Sequence, residues 1–344
     1  MAESGPVPVP VPSTHREVRL AARPEGRLRP DRFEVTEVPV PVPRRGQVLV
    51  RNRLTRVGAV TRTLMEDADA VLPMSPYERG RALWAPALGE VVTAPGTRLD
   101  PGDLVRHQLG WREYAVIEAD DAGRVDPALW PDPAACLSQG FAGWLAVVRA
   151  AEVRPGETVF VTGAAGGAGS IAGQFARVRG AGRVIGSTGS RRKADYLLGT
   201  LGFDAAVVRG EAPIEEQLRA AAPEGIDVLV DTVGGEQLRA ALALARRGAR
   251  CIVIGALSAQ AGGGTTAEVP VDTLALFSRG ITLRGLTTAD HRDAAPRWEE
   301  QFSRGLRAGV LTFPHTRLRG IERAPRALGE LLDGHHIGTV LLES

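Results

Sequence analysis

The chain has 344 residues, 44% of them hydrophobic and 5% aromatic, with 42 Lys plus Arg against 40 Asp plus Glu for a formal net charge of +2. That length and apolar content suit about two domains with substantial cores. Scattered basic residues and few aromatics exclude a nucleic-acid-binding face. With no apolar run of about eighteen residues for a membrane span and no secretory leader pattern at the N-terminus, the expectation is a cytoplasmic protein acting on a small molecule.

Residues 1–14, "MAESGPVPVPVPST", alternate Pro with Val and read as an extended tail outside the fold. From 15 to 131, short β-rich runs such as "GQVLVRNRLTRV", "ALGEVVTA" and "PGDLVRHQLGWREYAVI" are punctuated by Gly and Pro, which predicts a mostly antiparallel β domain. The periodicity then changes. "AGWLAVVRAAEV" has helical spacing, and strands and helices alternate: "ETVFVTG", a helix over 170–178, "RVIGST", a helix over 191–201, "DAAVV", a helix over 214–221, "IDVLVDTV", a helix near 236–245, and "ARCIVIGAL". Buried apolar strands alternating with amphipathic helices predict a doubly wound parallel sheet over residues 132–310. "APRWEEQFSRGLRAGVL" adds a helix, and "GTVLLES" reads as a strand returning to the first domain, which therefore takes in residues 311–344.

The cysteines, Cys136 and Cys251, have no CxxC spacing, and the six histidines show neither HxxxH nor HExxH, so no ordinary zinc ligand set is present. Cys251, within "RCIVIGAL", reads as a small buried hydrophobe.

"ETVFVTGAAGGAGSIAGQFARV" joins a buried strand to a helix through Gly163, Gly166, Gly167 and Gly169. Glycines there let backbone approach a pyrophosphate at a helix N-terminus, as in dinucleotide-binding folds. At the end of the next strand, where an NAD site wants a carboxylate for the ribose hydroxyls, the chain writes "GSTGSRRK". Ser190, Arg191, Arg192 and Lys193, the last being the single lysine of the chain, crowd the place of a 2′-phosphate and point to NADPH. Cations in a helix's first turn oppose its dipole, which argues against a merely solvating role.

In order and spacing, "TGAAGGAGS", "GSTGSRRKADYL", "GFDAAVV", "GIDVLVDTVGGE" and "IGALS" resemble the medium-chain dehydrogenase/reductase superfamily, in its zinc-free branch of prostaglandin reductases, leukotriene B4 dehydrogenases and alkenal double-bond reductases. The resemblance implies an α/β fold with a GroES-like, mostly β catalytic domain plus a doubly wound Rossmann nucleotide-binding domain. It implies that Gly166, Gly167, Ala168 and Gly169 cradle the pyrophosphate and that Ser190, Arg191 and Lys193 hold the 2′-phosphate; Arg209 stands where the family has a tyrosine and is placed to add a phosphate contact. It places Ile254, Gly255, Ala256 and Leu257, with Leu286, Thr287 and Thr288, along the nicotinamide, together with Thr232 and His336 where the family has asparagines. A homodimer is the family expectation.

The substrate end departs from the pattern. Gly58, Ala59 and Val60 stand where the family has Asp-Pro-Tyr, and Gln260 replaces a tyrosine, while on the cofactor side Thr339 replaces a lysine. Val60, Tyr77, Trp84 and His291 are the expected substrate walls, with the Gln260 amide or the Ser258 hydroxyl orienting the substrate oxygen. The leading expectation is NADPH-dependent reduction of an activated C=C bond in an enone, enal or quinone, in secondary metabolism. Alternatives are a tailoring enzyme of the same fold performing another reduction or a non-redox cyclisation, and a non-catalytic NADPH-binding module.

Overall fold

The computed structural model describes residues 10–66, 74–263 and 266–344. Of the expected N-terminal tail, residues 1–9 lie outside the described residues; its other end is not tail, because Thr14 already pairs with Pro39 in the first hairpin.

The first part of the chain builds β1 (Thr14–Leu20), β2 (Phe33–Pro39), β3 (Gln47–Val57), the short helix α1 (Val60–Leu64), β4 (Ala87–Thr93), β5 (Leu104–His107), β6 (Tyr114–Glu118) and β7 (Gly123–Arg124). β3 is the spine of this part: every residue of "QVLVRNRLTRV" is buried or half-buried, and it pairs antiparallel with β4 and β6. The nucleotide-type part follows with α2 (Gly140–Trp144), β8 (Thr158–Val161), α3 (Gly167–Val178), β9 (Arg183–Thr188), α4 (Arg191–Gly199), β10 (Ala205–Val208), α5 (Ile214–Ala221), β11 (Ile226–Asp231), α6 (Gly235–Ala243), β12 (Ala245–Val253), α7 (Leu257–Gly262), α8 (Thr273–Arg279), β13 (Thr282–Gly285) and α9 (Ala295–Arg307). β14 (His315–Arg319), α10 (Ala324–Leu332) and β15 (Thr339–Glu343) then return to the first sheet, where β15 lies between β14 and β3.

The second sheet runs β10-β9-β8-β11-β12-β13 with every pair parallel. Its strands proceed one way from β8 to β10 and the other way from β11 to β13, so the order reverses between β8 and β11. Ligands in such sheets bind beyond the strand C-termini at that reversal. The run "ARCIVIGAL", expected as one strand, leaves the sheet after Val253 and turns into α7.

Two glycines set how α2 meets α3. A Cβ on Gly143 would fall 2.4 Å from the Ala168 carbonyl oxygen, and one on Gly140 would fall 2.7 Å from the Ile171 side chain. α2 therefore lies directly against α3. Beneath the pair, α9 inserts Trp298 and Phe302, stacked at 4.4 Å, with Trp298 also 6.3 Å from Trp144. This aromatic cluster braces the helix whose N-terminus faces the cleft.

Candidate cofactor and substrate cleft

A cleft of about 930 Å³ opens along the strand C-termini at the β8/β11 reversal and runs between the six-stranded sheet and the seven-stranded sheet that holds β3 and β15. Its floor is the glycine loop. Gly163 has φ +58, and a Cβ there would meet Thr232 Oγ1 at 2.5 Å; a Cβ on Gly169 would meet the Gly163 carbonyl oxygen at 2.5 Å. α3 begins at Gly167 behind Gly166 with no side chain capping it, so its first amides are free to meet an anion. Gly166 to Gly169 all line the cleft.

The loop after β11 is pinned from below. Buried Asp231 accepts the Thr162 hydroxyl hydrogen at 2.6 Å and the Gly234 N–H at 2.9 Å, while burial raises its pKa. Thr232 donates its own hydroxyl hydrogen to the Thr162 carbonyl at 2.8 Å, so toward the cleft this hydroxyl can only accept.

At the other end of the floor, Lys193 in the first turn of α4 is 7% exposed and has no anionic partner among the described residues. Burial, then the neighbouring Arg192 and Arg209, pull its ammonium down to about 8. A buried cation among cations, at the end of β9, has the charge and placement to hold a ligand phosphate. Beside it the Thr188 hydroxyl is buried, has no hydrogen-bond partner among the described residues, and lines the cleft. Arg209 also lines it, with its guanidinium over Gly189. The other residues expected here do not converge: Ser190 stays off the cleft lining as the residue before α4, and Arg191 turns outward to an ion pair with Glu211.

Of the expected nicotinamide wall, Ile254, Gly255, Ala256, Leu257, Leu286 and Thr287 line the cleft. Thr288 does not, because the chain turns into a short 3₁₀ helix there, with Thr287 Oγ1 accepting the Ala289 N–H. His336 lines the cleft with Nε2 3.1 Å from Glu330 Oε2, an ion-pair approach without hydrogen-bond alignment. Burial lowers the His336 pKa, opposed by Glu330 and reinforced by Lys193.

The substrate end is walled by Ala59, Val60, Thr63, Gln260, Ala261 and His291. Gln260 Nε2 donates to Thr63 Oγ1 at 3.0 Å, which leaves its second N–H uncommitted. Ser258 lines the cleft but donates its hydroxyl hydrogen to the Val233 carbonyl at 2.6 Å, so it has no hydrogen left to offer a substrate oxygen. Two expected wall residues lie elsewhere. Tyr77 is 4% exposed in the core of the β sheet, its hydroxyl bonded to the Trp84 carbonyl at 2.8 Å and its ring 5.2 Å from that indole. Burial pushes its pKa to about 12. The pair satisfies and packs itself, and neither member lines the cleft.

Sequence reasoning missed Gln139 and Arg62, and named Thr339 only as a replacement for a family lysine. Gln139, the residue before α2, and Thr339, the first residue of β15, both converge on Gly167. Arg62, 2% exposed, pairs with Glu66 and donates to the Gly26 carbonyl at 3.0 Å and the Gly263 carbonyl at 3.4 Å, tying α1 to the end of α7 and so Val60 to Gln260. An Arg at i with Glu at i+4 was the readable part of that signal; the backbone partners were not.

Among the described residues no group of three or more His, Cys, Asp or Glu side chains is placed to hold a metal ion. Residues 16–125 match the family described as the N-terminal domain of oxidoreductase, and residues 167–303 the family described as zinc-binding dehydrogenase. A Bacillus subtilis protein named as an NADP-dependent oxidoreductase, YfmJ, is 33% identical over 96% of this chain and 98% of its own length. The NADP(+)-dependent 2-alkenal reductase of Nicotiana tabacum is 30% identical over 76% of this chain and 77% of its own. The crystal structure of CurA from Vibrio vulnificus in complex with NADPH superposes with a TM-score of 0.88 at 25% identity, covering 96% of this chain and 99% of that one.

Proposed function

The chain belongs to the zinc-free branch of the medium-chain dehydrogenase/reductase superfamily, and from that premise we propose that it is an NADPH-dependent reductase of carbon–carbon double bonds activated by a carbonyl group, in an enal, enone or quinone. The observation that carries the cofactor reading is Lys193, a buried ammonium without an anion, set across the cleft floor from an uncapped helix N-terminus that no Cβ obstructs. The donor set fits the two phosphate groups of NADPH: backbone amides of α3 for the diphosphate, Lys193 and Arg209 for the 2′-phosphate. NADPH bound there supplies hydride to the β carbon of the double bond.

The protein's own residues do the rest. Charge develops on the substrate carbonyl oxygen, and the uncommitted Gln260 N–H is a side-chain donor at that end of the cleft, beside the Thr63 hydroxyl that accepts its other hydrogen. A carboxamide donates a hydrogen bond but does not release a proton, so Gln260 orients the oxygen without supplying the proton that the α carbon takes. Val60, Ala59 and Ala261 give the substrate an apolar wall.

Incubation with a panel of enals, enones and quinones tests the reading. Loss of NADPH absorbance with at least one of them, and much slower loss with NADH, is the expected result; no oxidation across the panel, or a preference for NADH, overturns it.

We also propose that the enzyme works in the cytoplasm as a homodimer, with a substrate domain of residues 15–131 and 311–344 and a nucleotide domain of 132–310. Support for the dimer comes from β13, an edge strand whose four residues are all exposed, beside α8 with Phe277 83% and Leu274 71% exposed. Phe277→Asp should convert a dimer to a monomer in light scattering; a monomeric parent protein refutes the proposal.

A further inference from the structure

We infer that the cleft takes a second class of ligand at Lys193, a small aldehyde carrying a phosphate group, which Lys193 binds covalently as an imine while Arg209 holds the phosphate. The inference goes beyond the cofactor reading, whose site it shares. Lys193 lines the cleft, and its side chain makes neither an ion pair nor a hydrogen bond among the described residues. It is also the single lysine of the chain, so the amine chemistry of the folded protein is concentrated at this one position and at the α-amino group.

The cluster divides into a nucleophile and an anion holder. The titratable and charged groups that face Lys193 are Arg192, Arg209 and His336. With the ammonium brought down to about 8, about a tenth of the chains hold the neutral amine at pH 7, against roughly one in 2,500 for an ordinary lysine. A guanidinium keeps its charge throughout this range. Arg192 donates to the His335 carbonyl at 3.0 Å, and Arg191 is paired with Glu211. Arg209 is different: its side chain makes no ion pair or hydrogen bond among the described residues, and its Nη2 lies 3.4 Å from a Cβ built on Gly189, over the turn that leads into Lys193.

Chemistry selects the phosphorylated aldehyde. The neutral amine adds to the aldehyde carbon, and the carbinolamine then loses water, so a C=N bond replaces the C=O bond. No oxidant or reductant is needed, and hydrolysis reverses the step. An aldehyde without charge would gain nothing from Arg209, and an anion without a carbonyl would leave the amine unused. The imidazole of His336 and the guanidinium groups are not primary amines and do not compete for the carbonyl. Because the adduct occupies the place read for the 2′-phosphate, such a compound keeps the protein without cofactor until the imine hydrolyses.

The probe is pyridoxal 5′-phosphate, compared with 5-deoxypyridoxal, which has the same aldehyde without the phosphate. Borohydride reduction fixes the imine as a secondary amine, and peptide mass mapping should then find the label on Lys193. Pyridoxal 5′-phosphate should label it about tenfold or more faster than 5-deoxypyridoxal, the scale of one contact to a charged group. Lys193→Arg should lose the imine absorbance, Arg209→Gln should bring the two aldehydes close together, and NADPH should protect the parent. Label confined to the α-amino group overturns the inference, and so does equal labelling of Lys193 by the two aldehydes. Phosphate-dependent label on Lys193 that NADPH fails to prevent bears the inference out and counts against the cofactor reading alone.

Discussion

Ser258 Oγ donates to the Val233 carbonyl oxygen at 2.6 Å, so this hydroxyl, one of two candidates for orienting a substrate oxygen, is already engaged with backbone. Ser258→Ala should therefore leave kcat within about twofold while lowering stability by about 1 kcal/mol, the net worth of an ordinary hydrogen bond. Gln260→Ala should lower kcat by about 10²- to 10³-fold, as for removal of an oxyanion donor. Steady-state kinetics of the two variants, with urea unfolding of the first, checks both, and a slower Ser258→Ala than Gln260→Ala would reverse the assignment.

Lys193 should confer both cofactor choice and a pH dependence of binding. Lys193→Ala is expected to raise the NADPH Kd about tenfold or more, since a contact to a charged group is worth about 1.5 to 3 kcal/mol, while barely affecting NADH. With the free ammonium near 8, NADPH affinity should be level below that pH and weaken above it, because only the protonated form attracts phosphate. Lys193→Arg should abolish the fall. Titrating Kd from pH 6 to about 9.5 reads this directly; equal weakening of NADH in Lys193→Ala would contradict the role.

The glycine loop predicts two different failures. At Gly167 an added methyl meets the Gln139 carboxamide end, which can swing aside, and the buried Thr339 hydroxyl at 2.8 Å, so Gly167→Ala should lose less stability than Gly169→Ala yet bind NADPH poorly. At Gly169 it meets the Gly163 backbone at 2.5 Å, which cannot withdraw, so Gly169→Ala should be destabilised by about 1 to 3 kcal/mol. Differential scanning calorimetry paired with NADPH titration separates the cases.

His107 should make the β domain acid-sensitive. Its Nδ1 accepts the Leu109 N–H at 3.1 Å, so Nε2 carries the hydrogen toward Asn52 Oδ1 at 2.8 Å. The ring is 3% exposed, and burial, then Arg112, pull its pKa to about 4. Because the unfolded ring titrates near 6.5, the unfolded state binds the proton first as pH falls. The associated stability is present above about 6.5 and is lost toward 4, amounting to about 2 kcal/mol by pH 5. Urea midpoints at pH 7 and 5 in the parent and in His107→Gln should show the loss only in the parent.

No titrating side chain of the cleft is expected to deliver the α proton. The rate of the chemical step should be flat from about pH 6 to 8, since an amide donor does not titrate. His291 or His336 acting as the acid predicts a sigmoid instead, and burial has already moved His336 toward its neutral form. Single-turnover rates against pH in the parent, His291→Ala and His336→Ala decide; a sigmoid that either substitution removes defeats the expectation.

What was readable beforehand followed local periodicity. α5 occupies the residues its apolar spacing marked, Ile214–Ala221, and β8, β9 and β11, each centred on apolar residues (Val159 and Phe160, Val184 and Ile185, Val228 to Val230), lie buried in a parallel sheet. α7 was not readable, because six residues built from Leu, Ser, Ala, Gln and Gly carry no helical stripe after a strand. Tyr77 and Trp84 were placed at the substrate because aromatics suit pockets equally well as cores, and only the Tyr77 hydroxyl on the Trp84 carbonyl distinguishes the two. Gln139 escaped notice for a similar reason: its approach to Gly167 depends on α2 lying against α3, a contact set by two glycines rather than by any spacing between Gln139 and the loop.

The bridge between Gly166 and Gly338, with the Gly338 N–H on the Ala165 carbonyl at 2.8 Å, joins the glycine loop to a segment translated long after it. As the chain emerges from the ribosome, the strands and helices around the loop can assemble in order while the wall formed by β15 is still unmade. Cofactor capture is then a late event of biosynthesis, reserved for chains whose β15 has already closed onto β3, and a nascent or stalled chain would not hold nucleotide on a half-built site.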